Sequence, residues 1–438
     1  MKRSQLAILF VTIFIDLLGF GLIIPLLPIY IQHYGGSAWV GGALMASFSV
    51  MQFVFAPIFG ALSDKFGRRP LILISLLGSA VSYFFFGAAP TLLVLFIARI
   101  SAGVVSSASI PTAQAYISDV TTPENRAGGM AIIGMAFGLG FAFGPIFSSV
   151  LSQHPILNIT PLAMPAYAAA LLSILNFIFA FFMLPESHTE RTEVSGKKAN
   201  PFAVFTTIGD ALKSPMTGPP LTVFLLATFA FTAVETSFAW LVILRFDHIL
   251  HETAASAYNF VHPGLAYINL PLAEQKALFE KSATAATGTI YGIVGFTILI
   301  VQGAMMGGLA KKIGERMLVR IGAIVLMAAM FWIAVCPTLF WLQISSALLA
   351  VGNGLLNSSL TSLVTQYADP ARKGAISGTQ QGLASLARVI APVPNNFLVG
   401  LPILLFGVIS GLPFLISTAL MAVCFIFALR LKAPPVRS

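Results

Sequence analysis

The sequence predicts an all-α membrane protein, with twelve transmembrane helices in two six-helix bundles related by a pseudo-twofold axis. Three observations predict it. The 438 residues are 57% hydrophobic and 9% charged, with a mean hydropathy of +0.91, well above the roughly 45–50% apolar content of soluble domains. Apolar runs long enough to cross a hydrocarbon core of about 30 Å as helix recur along the chain, unlike the weak ten-residue alternation of a barrel. Finally, a shift of 247 residues lays the second half on the first. Gly60, Leu62 and Gly67 then fall on Gly307, Leu309 and Gly314, and "TLLVL" from Thr91 falls on "TLFWL" from Thr338. Pro123 falls on Pro370, Arg126 on Lys373 and Pro145 on Pro392. Loop prolines and glycines in one constant register are hard to obtain from apolar composition alone, so we read a duplication.

The spans follow in order. The first, 6–30, comes after a basic start and has no small-residue cleavage site, so it is expected to be a retained helix and not a removed leader. Spans 39–62, 71–90, 92–118, 127–150 and 162–184 complete an N-terminal half, 1–184. Residues 185–218, which begin "PESHTER", form the longest polar stretch on their side of the membrane and read as a linker. The C-terminal half, 219–438, holds spans 219–245, 284–310, 317–336, 338–366, 374–398 and 404–430. Its outward loop, 246–283, is far longer than the counterpart 31–38. Within it Pro271 opens "PLAEQKALFEKSA", expected to be a short amphipathic helix lying near the membrane surface.

Charge sets the topology. Nineteen of the 24 Lys and Arg residues lie in loops on one side, and the short loops opposite have none, so both termini are expected in the cytoplasm. The net charge of +9 is explained by that bias without a nucleic-acid partner. Cys336 and Cys424 lie inside apolar runs and suggest neither a disulfide nor a metal site. No G-x-x-x-x-G-K-[ST] or H-E-x-x-H pattern occurs, so no cofactor, ATP pump or protease chemistry is expected. His248 and His251 are three apart on the outer side; a metal or pH sensor is one reading, scattered surface histidines the commoner one.

Several buried positions carry chemistry. Asp16 and Arg99 lie well inside their spans, where an ionisable group costs about 2.5–3.5 kcal/mol on insertion scales and so usually faces the bundle interior. Burial and a nearby guanidinium act in opposite senses on a carboxylate's proton, which makes such a pair usable as a proton switch. A purely structural ion pair is the alternative. On the fifth span, Gly134 and Gly138 form one small-residue ridge, and Ala136, Gly140 and Gly144 another. Gly288 with Gly292, and Gly303 with Gly307, repeat the spacing on the eighth span, its expected partner. Pro145 interrupts the hydrogen bonding and can kink the helix. In the second half, Glu235 and Arg388 are expected to face the substrate path, where they can pair. Gln302, Asn353, Asn357, Gln380 and Gln381 add hydrogen-bonding groups, and Phe20, Phe53, Phe137, Phe231, Phe238 and Trp240 can supply an aromatic wall.

The stretch "GALSDKFGRRP", Gly60 to Pro70, resembles the signature between helices 2 and 3 of the major facilitator superfamily, G-x-L-x-D-x-x-G-R-R/K. It matches at Gly60, Leu62, Asp64, Gly67, Arg68 and Arg69, and a degenerate copy, "GGLAKKIGER", stands where that family has one. Three further stretches resemble the drug:proton antiporter branch, particularly tetracycline-efflux-like multidrug transporters. These are "DLLGFGLIIPLLP" from Asp16, "FIARISAGVVSSA", which places Arg99 and Gly103, and "GMAFGLGFAFGP", which ends at Pro145.

The resemblance implies proton coupling through Asp16 and Arg99, which pair in the inward-open state. It implies a conformational gate of Gly60, Asp64, Gly67, Arg68, Arg69 and Asp119, in which Asp64 caps the eleventh helix near Gly374 and a loop arginine pairs with Asp119. Gly134, Gly138, Gly140, Gly144 and Pro145 then form the antiporter-motif helix. The substrate cavity is expected to include Glu235, Arg388, Gln302, Asn357, Gln381 and Phe238. The implied protein is not an enzyme: it is a multi-pass inner-membrane antiporter, working as a monomer in the lipid bilayer without a cofactor, that exports hydrophobic small molecules against protons. Tetracycline–metal exporters have a histidine on helix 8 and an aspartate on helix 9, where this chain has Ile298 and Leu326. A proton-coupled importer of a metabolite, and a non-transporting receptor using the long outer loop, are the alternatives.

Overall fold

A computed structural model describes residues 2–121, 126–154, 159–187, 209–210, 212–261, 266–367, 373–403 and 407–431. Their regular elements are helices, as a bilayer requires when backbone groups must bond within their own segment. Eleven helices among the described residues are long and apolar enough to cross a membrane. The remaining span, expected at 374–398, is present as two helices, Lys373–Ile390 and Pro392–Val399. Its "GTQQGLASLAR" segment is too polar to register by composition.

The chain divides into two compact units, Met1–Ala199 with Val242–Gly292, and Asn200–Leu241 with Ile293–Ser438. In the first, the opening span is α1, Lys2–Ile23, one 3-10 turn at Ile24–Leu26, and α2, Leu27–His33. Pro25 in that turn has no N–H to continue the α-helical ladder. There follow α3 (Ala38–Phe66), α4 (Arg68–Gly87), α5 (Leu92–Ser106), α6 (Ser109–Val120), α7 (Arg126–Gln153) and α8 (Met164–Met183). Leu9, Ile13, Leu17, Leu76, Tyr116 and Ala136 form its core. The backbones of α1 and α7 nearly touch: a Cβ at Gly144 would lie 2.6 Å from the Gly21 backbone, and one at Gly21 would lie 2.5 Å from the Gly140 carbonyl oxygen.

The later helices are α9 (Gly218–Arg245), α10 (Asp247–Val261), α11 (Leu272–Leu299), α12 (Met306–Ile313), α13 (Glu315–Val335), α14 (Leu339–Tyr367), α15 (Lys373–Ile390), α16 (Pro392–Val399) and α17 (Leu412–Leu429). A π-helical stretch, Ile300–Met305, joins α11 to α12. In the second unit α13 and α14 approach as closely as α1 and α7, because a Cβ at Gly352 would lie 2.6 Å from the Leu326 amide nitrogen.

One expectation is corrected. The segment after Pro271 is not a separate surface helix; it is the start of α11 and runs unbroken into the eighth span. No glycine or proline interrupts 272–287, and Thr284 Oγ1 donates to the Glu280 carbonyl at 2.7 Å. Elsewhere in the outward loop, the described residues include α10 and a 3-10 turn at Tyr267–Asn269. The Tyr267 amide donates to Asn259 Oδ1 at 3.2 Å and its hydroxyl to the Gln275 carbonyl at 3.0 Å.

The duplication is written into helix boundaries. α4 begins at Arg68 and α13 at Glu315, α5 at Leu92 and α14 at Leu339, each pair separated by the shift found in the sequence. Gly67 at φ 101° and Gly314 at φ 82° end the preceding helices, a conformation that a side chain disfavours. Thr91 and Thr338 both cap: each hydroxyl accepts from the backbone N–H three residues on, Val94 and Trp341, at 3.4 Å.

Candidate functional site

The charged turn between α3 and α4 is built around Gly67. A Cβ there would fall 2.4 Å from Glu186 Oε2, so only glycine leaves room for that carboxylate. Glu186 accepts the backbone N–H of Arg68 at 2.9 Å and of Arg69 at 3.2 Å, an anion on the first turn of α4 where the helix dipole favours one. Arg68 Nε donates to Asp119 Oδ2 at 3.2 Å and Nη1 to Ser63 Oγ at 2.6 Å. Arg69 donates to the Phe181 carbonyl at 2.5 Å and lies over the Phe181 ring.

The arginine expected to pair with Asp119 is thus Arg68. Gly60 has open space around its Cβ position. The side chains of Asp64 and Gly374 lie outside the described residues. Glu186 was missed by sequence reasoning, which took "PES" only as the start of a linker; the available signal was an acid one residue past the proline that ends a span. In the second copy the polarity is exchanged: Glu315, at the place of Arg68, accepts from Gln366, at the place of Asp119.

Asp16 is 7% exposed and Arg99 2%. Ser109 Oγ, at the first turn of α6, donates to Asp16 Oδ2 at 2.7 Å. The Arg99 guanidinium sits on the Phe48 ring at 4.3 Å and beside Phe20 at 6.0 Å, while its Nε has no hydrogen-bond partner. The expected Asp16–Arg99 pair is therefore not made in this structure. A hydroxyl holds the carboxylate, and a cation–π seat holds the guanidinium, worth about 2 kcal/mol or more when desolvated. Tyr83 lies against the Gly19 backbone and within electrostatic reach of both charges. Ser109, Phe48 and Tyr83 were not singled out from the sequence, where nothing distinguishes them from other serines and aromatics in apolar runs.

On α7 the two ridges differ. Ala136 is fully buried, and Gly140 and Gly144 meet Leu17 and Gly21 of α1, whereas Gly134 and Gly138 have nothing within 4 Å of a Cβ. The expected α7–α11 contact exists at the Pro145 end. A Cβ at Gly288 would lie 2.8 Å from the Pro145 carbonyl oxygen, and one at Gly292 would lie 2.7 Å from Ile146. Pro145 lies inside α7, which continues to Gln153. The surroundings of Gly303 and Gly307 lie outside the described residues.

In the second unit Arg388 Nε donates to Glu235 Oε2 at 3.3 Å and Nη2 to Oε1 at 3.5 Å. The two side chains are 34% and 18% exposed, so the ion pair keeps contact with open space. Asn357 Nδ2 donates to Asn353 Oδ1 at 2.5 Å and Gln380 Nε2 to Thr361 Oγ1 at 2.9 Å. Gln302 is exposed on the π-helical stretch, and the Gln381 side chain lies outside the described residues. Phe238 is a correction: at 1% exposure and packed edge-on against Phe414, it presents no surface to a cavity and serves as core. Phe20 likewise belongs to the Arg99 seat, and Phe137 packs on the core of the first unit.

No cluster of metal-ligating side chains occurs among the described residues. His248 meets Glu252 at 3.6 Å with both exposed, and His251 stacks on Phe279 at 4.5 Å.

Residues 9–392 match the Major Facilitator Superfamily. The chain belongs to that superfamily. It is a multi-pass membrane protein of a transporter family. Among its relatives, the class E tetracycline resistance protein of Escherichia coli is 28% identical over 406 residues, covering 91% of this chain and 88% of that one. Human major facilitator superfamily domain-containing protein 10 is 29% identical over 429 residues, covering 90% and 86%. Multidrug resistance protein 1 of Bacillus subtilis is 26% identical over 434 residues, covering 99% and 97%. The crystal structure of the human organic anion transporter MFSD10 (TETRAN) superposes with a TM-score of 0.68 at 23% identity, covering 98% of this chain and 99% of that one. An inward-facing, occupied bacterial homologue of the human lysosomal transporter Spinster gives 0.71 at 12% identity, covering 98% and 97%. Both share the fold.

Proposed function

We propose that this superfamily member is a proton-coupled antiporter that exports hydrophobic small organic molecules by alternating access. The observation that carries the reading is the buried Asp16, held by a neutral hydroxyl at 2.7 Å and not neutralised by Arg99. A protonated carboxylic acid can donate as well as accept, whereas a carboxylate only accepts. A proton reaching Asp16 therefore gives it a donor that the carboxylate lacks, so the bond joining α1 to α6 is free to reverse direction in the protonated state. Arg99 has a separate seat on the face of Phe48. Similarity to tetracycline and multidrug resistance proteins supports export of drug-like compounds. The reading needs no cofactor beyond the proton gradient, places the protein in an inner membrane with both termini cytoplasmic, and treats the monomer as the working unit.

A second reading is transport of organic anions. It is favoured by the comparable likeness to the domain-containing protein 10 relatives and by the partly exposed guanidinium of Arg388. Proteoliposomes loaded with a pH dye separate these readings when challenged with tetraphenylphosphonium or carboxyfluorescein. Substrate-driven proton movement is expected with the cation in the native protein and is abolished in Asp16→Asn, while substrate exchange without a gradient persists. Full proton movement in Asp16→Asn would refute the coupling role, and uptake of carboxyfluorescein alone would favour the second reading.

A further inference from the structure

We infer that His33 and Glu280 form a protonation-dependent latch between the end of the first span and the eighth. His33 Nδ1 lies 2.7 Å from Glu280 Oε1, and Lys276, one turn earlier on α11, donates from Nζ to the His33 carbonyl at 2.7 Å. Two side chains from one face of α11 thus grip one residue at the end of α2. Both partners belong to the first compact unit, and α11 continues past Gly292 into the second. The carboxylate is covered, with its side chain 11% exposed, while the imidazole is 41% exposed. The imidazole is thus the accessible partner and the carboxylate the covered one.

The parts that present the pair are braced. Gly36 N–H closes the turn after α2 on the Ile31 carbonyl at 2.8 Å, and the Tyr34 hydroxyl donates to the Ala89 carbonyl at the end of α4. On the other side, Gln275 Nε2 donates to the Leu270 carbonyl at 2.9 Å, and Phe279, beside Glu280, is stacked by His251. The folded outward loop thereby holds the start of α11 in place. Few charges compete. Lys276 and Glu280 face His33 from α11, Tyr34 packs edge-on at 5.1 Å from its own side, and Tyr30 is buried one turn earlier. The packed neighbour α3 has its charges, Asp64 and Lys65, only at its far end.

With a neutral imidazole the contact is one hydrogen bond to a carboxylate; with a protonated one it is a charge-assisted ion pair, the stronger interaction. Histidine is the side chain whose charge ordinarily changes between about pH 5 and 8. The added stabilisation is present where the imidazole carries its second proton and lost where it does not. Acid tightens the hold of α2 on α11, and neutral or alkaline conditions relax it. The two residues are also 247 apart, the shift of the duplication. One register position thus carries a base in the first copy and an acid in the second, although a turn interrupts the first copy there and the second is helical.

Hydrogen exchange of the full-length protein in nanodiscs tests the latch without any substrate, so its outcome is separate from the antiport reading. Peptides covering 27–37 and 272–284 are compared in the native protein, His33→Gln and Glu280→Gln. Comparing proteins at one pH cancels the pH dependence of exchange itself. At about pH 5.5 both variants should exchange about two- to fivefold faster than the native protein in these segments. That ratio should be smaller at about pH 8, where only the hydrogen bond of a neutral imidazole is lost, with 315–335 unchanged. A ratio that does not vary with pH, protection unaltered by either substitution, or equal loosening of 315–335 would overturn the latch.

Discussion

Asp16 and Arg99 illustrate how two buried charges can be neighbours in role without being partners in bonding. Each has its own neutral stabiliser, a hydroxyl for the carboxylate and an aromatic face for the guanidinium, so a change of protonation at one need not break a bond to the other. Glu235 and Arg388 are built differently, as a direct two-contact pair. Removing one partner leaves the other charge partly buried and uncompensated, a more costly outcome than removing both. Glu235→Gln is expected to lower stability by about 1–3 kcal/mol, and Glu235→Gln combined with Arg388→Gln should recover most of that loss. A double-mutant cycle on thermal unfolding in detergent measures the coupling, and strictly additive effects would show that the pair contributes nothing as a pair.

Helices in lipid gain little from a hydrophobic drive toward one another, so close backbone approach through small residues has to supply the packing. α7 shows how selective that device is. A Cβ at Gly140 or Gly144 would meet α1, while one at Gly134 or Gly138, equally suggestive in spacing, would meet open space. Gly144→Ala would drive a Cβ to 2.6 Å from the Gly21 backbone, which cannot swing aside as a side chain could. The expected loss is about 1–3 kcal/mol. Gly138→Ala should be neutral or stabilising by about 0.5–1 kcal/mol, because it removes backbone freedom without a clash. The same thermal measurement compares the two, and equal losses would contradict the assignment of the contacting ridge. At the α3–α4 turn a comparable economy operates, since the absent Cβ of Gly67 is the space that Glu186 fills.

On the scale of the whole molecule, the helix count follows the duplication, but the compact units do not divide the chain at one point. Val242–Gly292 packs with Met1–Ala199. A chain cut within 188–208 therefore leaves part of the first unit on the second fragment. Residues 1–199 expressed alone should accumulate poorly and be degraded, and co-expression of 200–438 should restore their level. Immunoblot abundance is the measurement; full accumulation of 1–199 by itself would mean that 242–292 is dispensable to it. The Lys373–Ile390 helix belongs to the same scale. Its Ser, Thr, Gln and Arg content is too polar for an isolated span, and such a helix is stable in a membrane only with protein or water along its polar face.

What the sequence determined by itself was whatever depends on local chemistry and on repetition. Apolar runs set the spans, the asymmetry of Lys and Arg suggested their direction, and glycines and prolines in constant register exposed the duplication, visible again in the paired helix starts and the paired Thr91 and Thr338 caps. Asp16, Arg99, Glu235 and Arg388 stood out because charge is rare inside apolar spans. Only the tertiary structure decided which of them meet. Arg388 finds Glu235, whereas Asp16 finds Ser109 and Arg99 finds Phe48; Phe238 turns into the core, and Pro271 opens a continuation of a span. Glu186, Lys276 and the His33–Glu280 contact belong to the same class. Their partners lie between 117 and 247 residues away, and no local pattern encodes a contact made only after the helices have packed, where a single ångström at a glycine decides which faces can touch.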